Sequence, residues 1–271
     1  MMLFGTAGVP NTSAGRSTAD GIRTIRELGL DCMEVQFVRG VRMREDTARN
    51  VGLVAESVGV RLSVHAPYYI NLNADSEVKV RQSLQRLIDS ARIGNLMGAR
   101  SIVFHPGYYM RRPRDEAYRR IRDALNEVSD VVAELGVVLR PETSGRREQF
   151  GELEEILNLC SEVENTLPCI DVSHIHARTM AYNSYEEFSE LLEVVESLLG
   201  REVLKNLHIH ISGIDYGAKG EVRHLNLRES DFRFEEFLKA LRDFSAGGLV
   251  ICESPNLEED AAMLKELYSQ L

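Results

Sequence analysis

Eight short apolar runs alternating with eight amphipathic ones predict an α/β fold, a single (β/α)8 or TIM barrel with its active site at the C-terminal ends of the strands. Three observations carry the prediction. The chain has 271 residues, close to the ~250 typical of one such barrel. An apolar residue and a glycine close an amphipathic run five times, at Leu28-Gly29, Val58-Gly59, Met97-Gly98, Leu135-Gly136 and Leu199-Gly200, and glycine past a helix end takes the left-handed cap that other residues resist. Strict strand–helix alternation implies a parallel sheet, and this count at this length favours closure over a doubly wound sheet. No linker or low-complexity tract interrupts the pattern, so residues 1–271 are expected to form one domain.

The elements follow in order from the period of their apolar residues. Strand 2–7 (MLFGTA) leads to helix 17–28, and strand 32–37 (CMEVQF) to helix 45–58. Strand 61–65 (RLSVH) ends on His65, with a proline just beyond to stop the ladder, and helix 77–97 follows. Strand 101–105 (SIVFH) ends on His105 before helix 115–135, and strand 137–142 (VVLRPE) on Glu142 before helix 150–164. Strand 168–171 (PCID) ends on Asp171 before helix 184–199, and strand 206–210 (NLHIH) on His210 before helix 231–244. Strand 248–253 (GLVICE) ends on Glu253, and helix 256–270 completes the set.

Composition narrows the function. Hydrophobic content of 44% and charged content of 27% are those of a globular chain with a sizeable core. The N-terminus lacks the features of a signal peptide, and no run approaches the ~18 apolar residues of a membrane span, so a cytoplasmic protein is expected. Cys32, Cys160, Cys169 and Cys252 lack CxxC spacing and read as small core residues. A net charge of −10 argues against general nucleic-acid coating and leaves room for a local basic groove.

Six of the eight strands therefore end in a residue type that binds metals, all at the rim where a barrel carries its active site. The seven histidines, at 65, 105, 174, 176, 208, 210 and 224, all fall at strand ends or in the loops after them, and none is expected on a helix. Gathered in one cleft without a cation, Glu142, Asp171 and Glu253 would repel one another. Imidazole with carboxylate suits zinc and its neighbours, and the lack of cysteine ligands suggests a catalytic metal rather than a structural one.

In order along the chain, SVHAPYYINL, FHPG, PETSG, CIDVSH, the HIHISG-to-RH segment and CESPN resemble the signature stretches of the endonuclease IV family of DNA-repair enzymes. The resemblance runs from about residue 60 to 256. It implies a barrel holding two or three zinc ions, with manganese or another divalent metal as the substitute, that cuts DNA on the 5′ side of abasic sites. DNA containing abasic sites is then the partner, and no obligate protein partner is implied. Carried over, His65, His105 and Glu142 form one zinc site. Glu142 is shared with a second that Asp171, His210 and Glu253 complete, and Glu142 and Glu253 are the catalytic carboxylates. His174 and His224 belong to a third. Family members place an aspartate two residues before the histidine matching His224, where this chain has Val222. Glu221, one residue earlier and expected in a loop, is either the replacement ligand or a solvated charge, and the third site is either filled more weakly than the shared pair, empty, or filled only with substrate present. Tyr68 and Tyr69 fall where the family places a loop that enters the DNA groove.

Tyr68, Tyr69, Tyr108 and Tyr109 read equally as rim packing. Arg111, Arg112 and Arg114, after the fourth strand, read either as phosphate contacts or as a solvated face. His208 is expected to fill the barrel or support a ligand, and His176 to orient one; Arg39, Arg146, Arg147 and Arg178 also follow strand ends, without an assigned role. Two other functions compete. A xylose-isomerase-like sugar isomerase or epimerase would need one divalent metal on Glu142, Asp171, His210 and Glu253, and leaves His65, His105, His174 and His224 without required work. A barrel that has kept its metals and lost DNA cleavage is the third.

Overall fold

Strand β1 (Met2–Ala7) lies at the middle of an eight-stranded parallel sheet in a computed structural model that describes residues 1–271. Around it run β2 (Cys32–Gln36), β3 (Arg61–His65), β4 (Ser101–Phe104), β5 (Val138–Pro141), β6 (Cys169–Asp171) and β7 (Leu207–Ile211), with β10 (Gly248–Cys252) paired between β1 and β7. Bridges from Leu139 to Thr166 and from Glu142 to Cys169 join the two end strands β5 and β6 and nearly close the barrel. β1 approaches β2 so tightly that a Cβ at Gly5 would lie 1.7 Å from the Cys32 carbonyl oxygen.

The predicted helices are present as α1 (Thr18–Glu27), α2 (Glu45–Val58), α3 (Glu77–Leu96), α4 (Arg114–Glu134), α5 (Leu153–Glu162), α7 (Tyr185–Leu199), α8 (Phe234–Asp243) and α9 (Glu258–Gln270). Their apolar stripes pack on the outer faces of the strands in one cluster of 66 buried residues. None is long and apolar enough to cross a membrane. The four cysteines are free and buried, as core residues should be.

Two elements depart from the sequence reading. Helix α6 (Val172–Thr179) follows β6 directly, so His174 and His176 do lie on a helix. Asp171 ends the strand and caps this helix in one step, accepting from the His174 backbone N–H at 2.7 Å. The segment expected as a loop is a hairpin of β8 (Gly213–Gly217) and β9 (Gly220–Leu225). Its turn presses on the loop after β5: a Cβ at Gly220 would lie 2.0 Å from the Gly145 carbonyl oxygen. The bulge opposite Asp215 and Tyr216 leaves Val222 unpaired, since Tyr216 faces Glu221 and Asp215 faces Arg223. One extra residue restores a common face for Glu221 and His224, which a regular strand would point oppositely.

Candidate metal centre

Glu142, fully buried just past β5, is the hub of the rim. Its Oε2 faces His65 Nε2 at 3.1 Å and His105 Nε2 at 3.6 Å, while Oε1 faces His174 Nδ1 and His210 Nδ1, each at 3.4 Å. On the rim, three sets bring their donor atoms within metal-binding reach: His65, His105 and Glu142; Glu142, Asp171, His210 and Glu253; and Asp171, His174 and His224. The first two are the sets expected from the sequence. The third takes Asp171 as its carboxylate, with Glu221 Oε2 at 3.5 Å from His174 Nε2, so Glu221 flanks that set and does not complete it.

The tautomers show what this arrangement needs. His65 Nδ1 lies 2.8 Å from the Ala66 carbonyl, His174 Nδ1 3.1 Å from that of Thr143 and His224 Nδ1 3.2 Å from that of Glu253. Each must donate there, which leaves the three Nε2 atoms as lone pairs unless a second proton is taken up. His174 Nε2 then faces His224 Nε2 at 3.3 Å, and His65 Nε2 faces the Glu142 carboxylate. A proton or a metal ion must sit between such groups. The buried atoms Asp171 Oδ2 and His210 Nδ1 have no aligned hydrogen-bond partner, as expected of metal donors rather than of a finished polar core. The residues fit divalent cations.

Without metal, protons take that place. Burial alone would raise Glu142, and the charges of His105 and His210 outweigh it and hold the carboxyl well below its usual range. Burial opposes and Glu142 reverses the balance at His65, which is raised; His174 is raised in the same way against burial, chiefly by Asp171. His105, with less compensation, is pushed down to about 4 by burial.

His65, His105, His174, His224 and Glu253 line a cavity of about 500 Å³. Tyr68 stands over it, its ring 5.4 Å from that of His65 and 6.4 Å from that of His105, and burial with the neighbouring carboxylates pushes its hydroxyl up to about 12. Arg146 is its one cationic wall. The structure does not bring Tyr69, Arg111 or Arg112 to this wall. Tyr69 is exposed on a neighbouring groove. Arg112 is held by Asp75 at 2.7 Å and Glu116 at 3.2 Å, and Arg114 by Glu152 while it covers the Tyr109 ring. Tyr109 is buried and donates to Glu155, whereas Tyr108 does line the cavity. His176 orients no candidate ligand: it donates to the Ala181 carbonyl and packs on Tyr216 and Phe232, pinning the hairpin to α6.

Sequence reasoning missed Glu34 and Gln36 of β2 and left Arg146 unassigned. Glu34 is fully buried, and Gln36 lines the cavity. The signal was present in CMEVQF, where polar residues two apart mark the inward face of a strand that is buried on both sides. A further set, Cys169, His208 and His210, lies deeper in the barrel. Burial raises the Cys169 thiol, so it sits there as a neutral group.

Eight parallel strands with a nitrogen and oxygen donor set on their C-terminal rim define an α/β barrel of the TIM class. Residues 22–267 match the family of xylose isomerase-like TIM barrels, and the chain belongs to it. It is 47% identical over 274 residues to an uncharacterized protein of Methanocaldococcus jannaschii, a match that covers all of this chain and 98% of that one. It is also similar to the probable endonuclease 4 of Mycoplasma pneumoniae, at 28% identity over 180 residues, 65% of this chain and 61% of that protein's length. Among solved structures, a D-tagatose 3-epimerase-like protein superposes with a TM-score of 0.78 at 19% identity over 99% of this chain and 96% of that one. Endonuclease IV from Thermus thermophilus superposes with 0.74 at 20% identity over 98% of each chain. At these identities the superpositions speak for the fold alone.

Proposed function

We propose that the protein is a zinc-dependent phosphodiesterase of the endonuclease IV type, hydrolysing the DNA backbone on the 5′ side of abasic sites. The observation that carries the reading is the pair of ligand sets meeting on one carboxylate, with His65 and His105 on Glu142 Oε2 and His210 on Oε1. His65, His105, Glu142, Asp171, His210 and Glu253 would hold two ions, and His174 and His224 with Asp171 or Glu221 a third. Divalent cations there supply Lewis acidity for an in-line displacement at phosphorus. Glu142 keeps the two sets in register because its two oxygens serve different strands. Glu253 lies on the cavity wall, where its carboxylate would be placed to take the proton of the attacking water. Tyr68 offers a ring beside the gap left by a missing base, and Arg146 offers a cation to a phosphate. The similarity to proteins named probable endonuclease 4 supports the same reading.

A one-metal sugar epimerase is the second reading, because Glu142, Asp171, His210 and Glu253 are sufficient by themselves. Metal content and cleavage distinguish the two. Zinc-loaded protein is expected to hold at least two metals per chain and to cut a duplex carrying one abasic analogue, with the cut lost on chelation. His105→Ala should remove about one metal and lower cleavage by roughly two orders of magnitude or more. At most one metal, with sugar turnover that survives His105→Ala, would establish the epimerase instead.

A further inference from the structure

Glu34 belongs to none of the three ligand sets on the rim, yet it makes four polar contacts, as many as Glu142. It points inward from β2, is fully buried, and reaches across to β7, a strand that is not its neighbour in the sheet. Its Oε2 accepts from Ser63 Oγ at 3.0 Å and contacts His208 Nε2 at 2.9 Å. Its Oε1 accepts from Gln36 Nε2 at 3.1 Å and lies 3.1 Å from His210 Nε2.

Such a carboxylate is an acceptor at every contact, so both facing imidazoles must present Nε2–H. For His210 this choice has a consequence at the other end of the ring. With its proton on Nε2, Nδ1 carries the lone pair, and that atom faces Glu142 Oε1 at 3.4 Å and Glu253 Oε1 at 3.6 Å. The alternative tautomer would aim N–H at the two carboxylates and a lone pair at a third, which no cation on the rim could use. Neither nitrogen of His210 makes an aligned hydrogen bond. The ring is thus positioned between two acceptor groups and completed by neither.

We propose that Glu34 is the positioning residue of the metal centre: it sets the tautomer and orientation of His210 so that Nδ1 is the donor presented to the ion shared with Glu142, Asp171 and Glu253. It never touches the substrate. Ser63 and Gln36 hold the carboxylate in place, and His208 takes the oxygen that His210 does not. A carboxylate behind a metal-bound imidazole raises its basicity and fixes its plane. The proposal rests on the metal-centre part of the function proposed above and extends it to a residue of the barrel interior.

The test uses the full chain loaded with cobalt(II), whose visible bands report ligand geometry, together with zinc competition against a chromophoric chelator. Glu34→Gln keeps the volume but turns an amide N–H toward one of the two imidazoles. It should weaken one zinc by roughly 10–100-fold, change the cobalt bands, and leave the ion on His65 and His105 bound. A residue that merely filled the barrel would lower the melting temperature of metal-free protein and leave both metal readouts at the parental values, and that result overturns the proposal. Should Glu34→Gln fail to fold, Ser63→Ala removes one anchor of the carboxylate and keeps its charge. A several-fold loss of zinc affinity then supports the proposal, and parental affinity overturns it. If the parent protein itself binds no cobalt or zinc, the metal reading falls and Glu34 with it; if the parent binds and the variant matches it, only the role of Glu34 falls.

Discussion

Arg146 shows how much a single residue's role depends on its partners. Its guanidinium lies 3.7 Å from Glu221 Oε1 with 45% of the side chain exposed, a pairing that contributes little in solvent. Its backbone is held firmly, because the buried Arg178 donates to the carbonyls of Ser144, Arg146 and Gln149. A fixed base with a half-exposed, loosely paired cationic tip is the arrangement that phosphate recognition needs. Arg112, by contrast, is already neutralised by two carboxylates. Arg146→Ala should therefore weaken binding of an abasic duplex by about tenfold and reduce the log–log salt slope by about 1. Arg112→Ala should change binding by less than about twofold, as expected of a surface charge pair. Titrations at several salt concentrations measure both, and equal effects of the two variants would defeat the assignment. The sequence offers Arg112 as a phosphate contact or a solvated charge and leaves Arg146 without a role, since nothing in a run such as YYMRRPRDEAYRR says which guanidinium will find a carboxylate.

At the scale of an element, the β8–β9 hairpin owes its function to one misfit residue. Val222 sits in the bulge and is 57% exposed, so it contributes almost nothing to packing. Its contribution is geometric: with it in place, Glu221 and His224 both face His174. Deleting Val222 should regularise the hairpin and turn one of the two away. The expected result is a protein that folds, keeps the ions of the two sets on Glu142 and loses the third under limiting zinc. Glu221→Ala should lose less, since Asp171 already stands with His174 and His224, and Glu221→Ala matching the deletion would instead make Glu221 the essential ligand. Zinc content by elemental analysis decides between these outcomes. The hairpin escaped sequence reading because a bulge breaks the period of two, and because GIDYG and GEVRHL carry few apolar residues. Helix α6 escaped because all of Val172 to Arg178 are buried, so its eight residues show no polar face from which a helical period emerges.

For the whole molecule, the barrel was legible because six of the strands are short apolar runs closed by a polar residue, and five of the helices show a stripe ended by glycine. The six strand-end residues were legible for the same reason: a polar group that closes an apolar strand is conspicuous. Glu34 and Ser63 were not, since a polar interior contradicts the expectation that barrels fill with branched aliphatic side chains. The gathering of imidazoles and carboxylates at one end makes stability depend on pH with a sign that reveals the occupant. His65 and His174 are raised in the metal-free protein, burial opposing and the neighbouring carboxylates prevailing. Groups raised on folding stabilise most fully below their unfolded value near 6.5 and lose that stabilisation as pH rises through their folded values. Metal-free protein should therefore melt at progressively lower temperature as pH climbs from 6 toward 9. Zinc needs the unprotonated imidazoles, so its stabilisation must grow over the same range. At free metal a thousand times Kd it amounts to about 4 kcal/mol per ion, roughly 10 °C for a chain of this size. The gap between melting curves with zinc and with chelator should widen steadily with pH. A gap that stays constant or narrows would mean that these histidines hold something other than a metal.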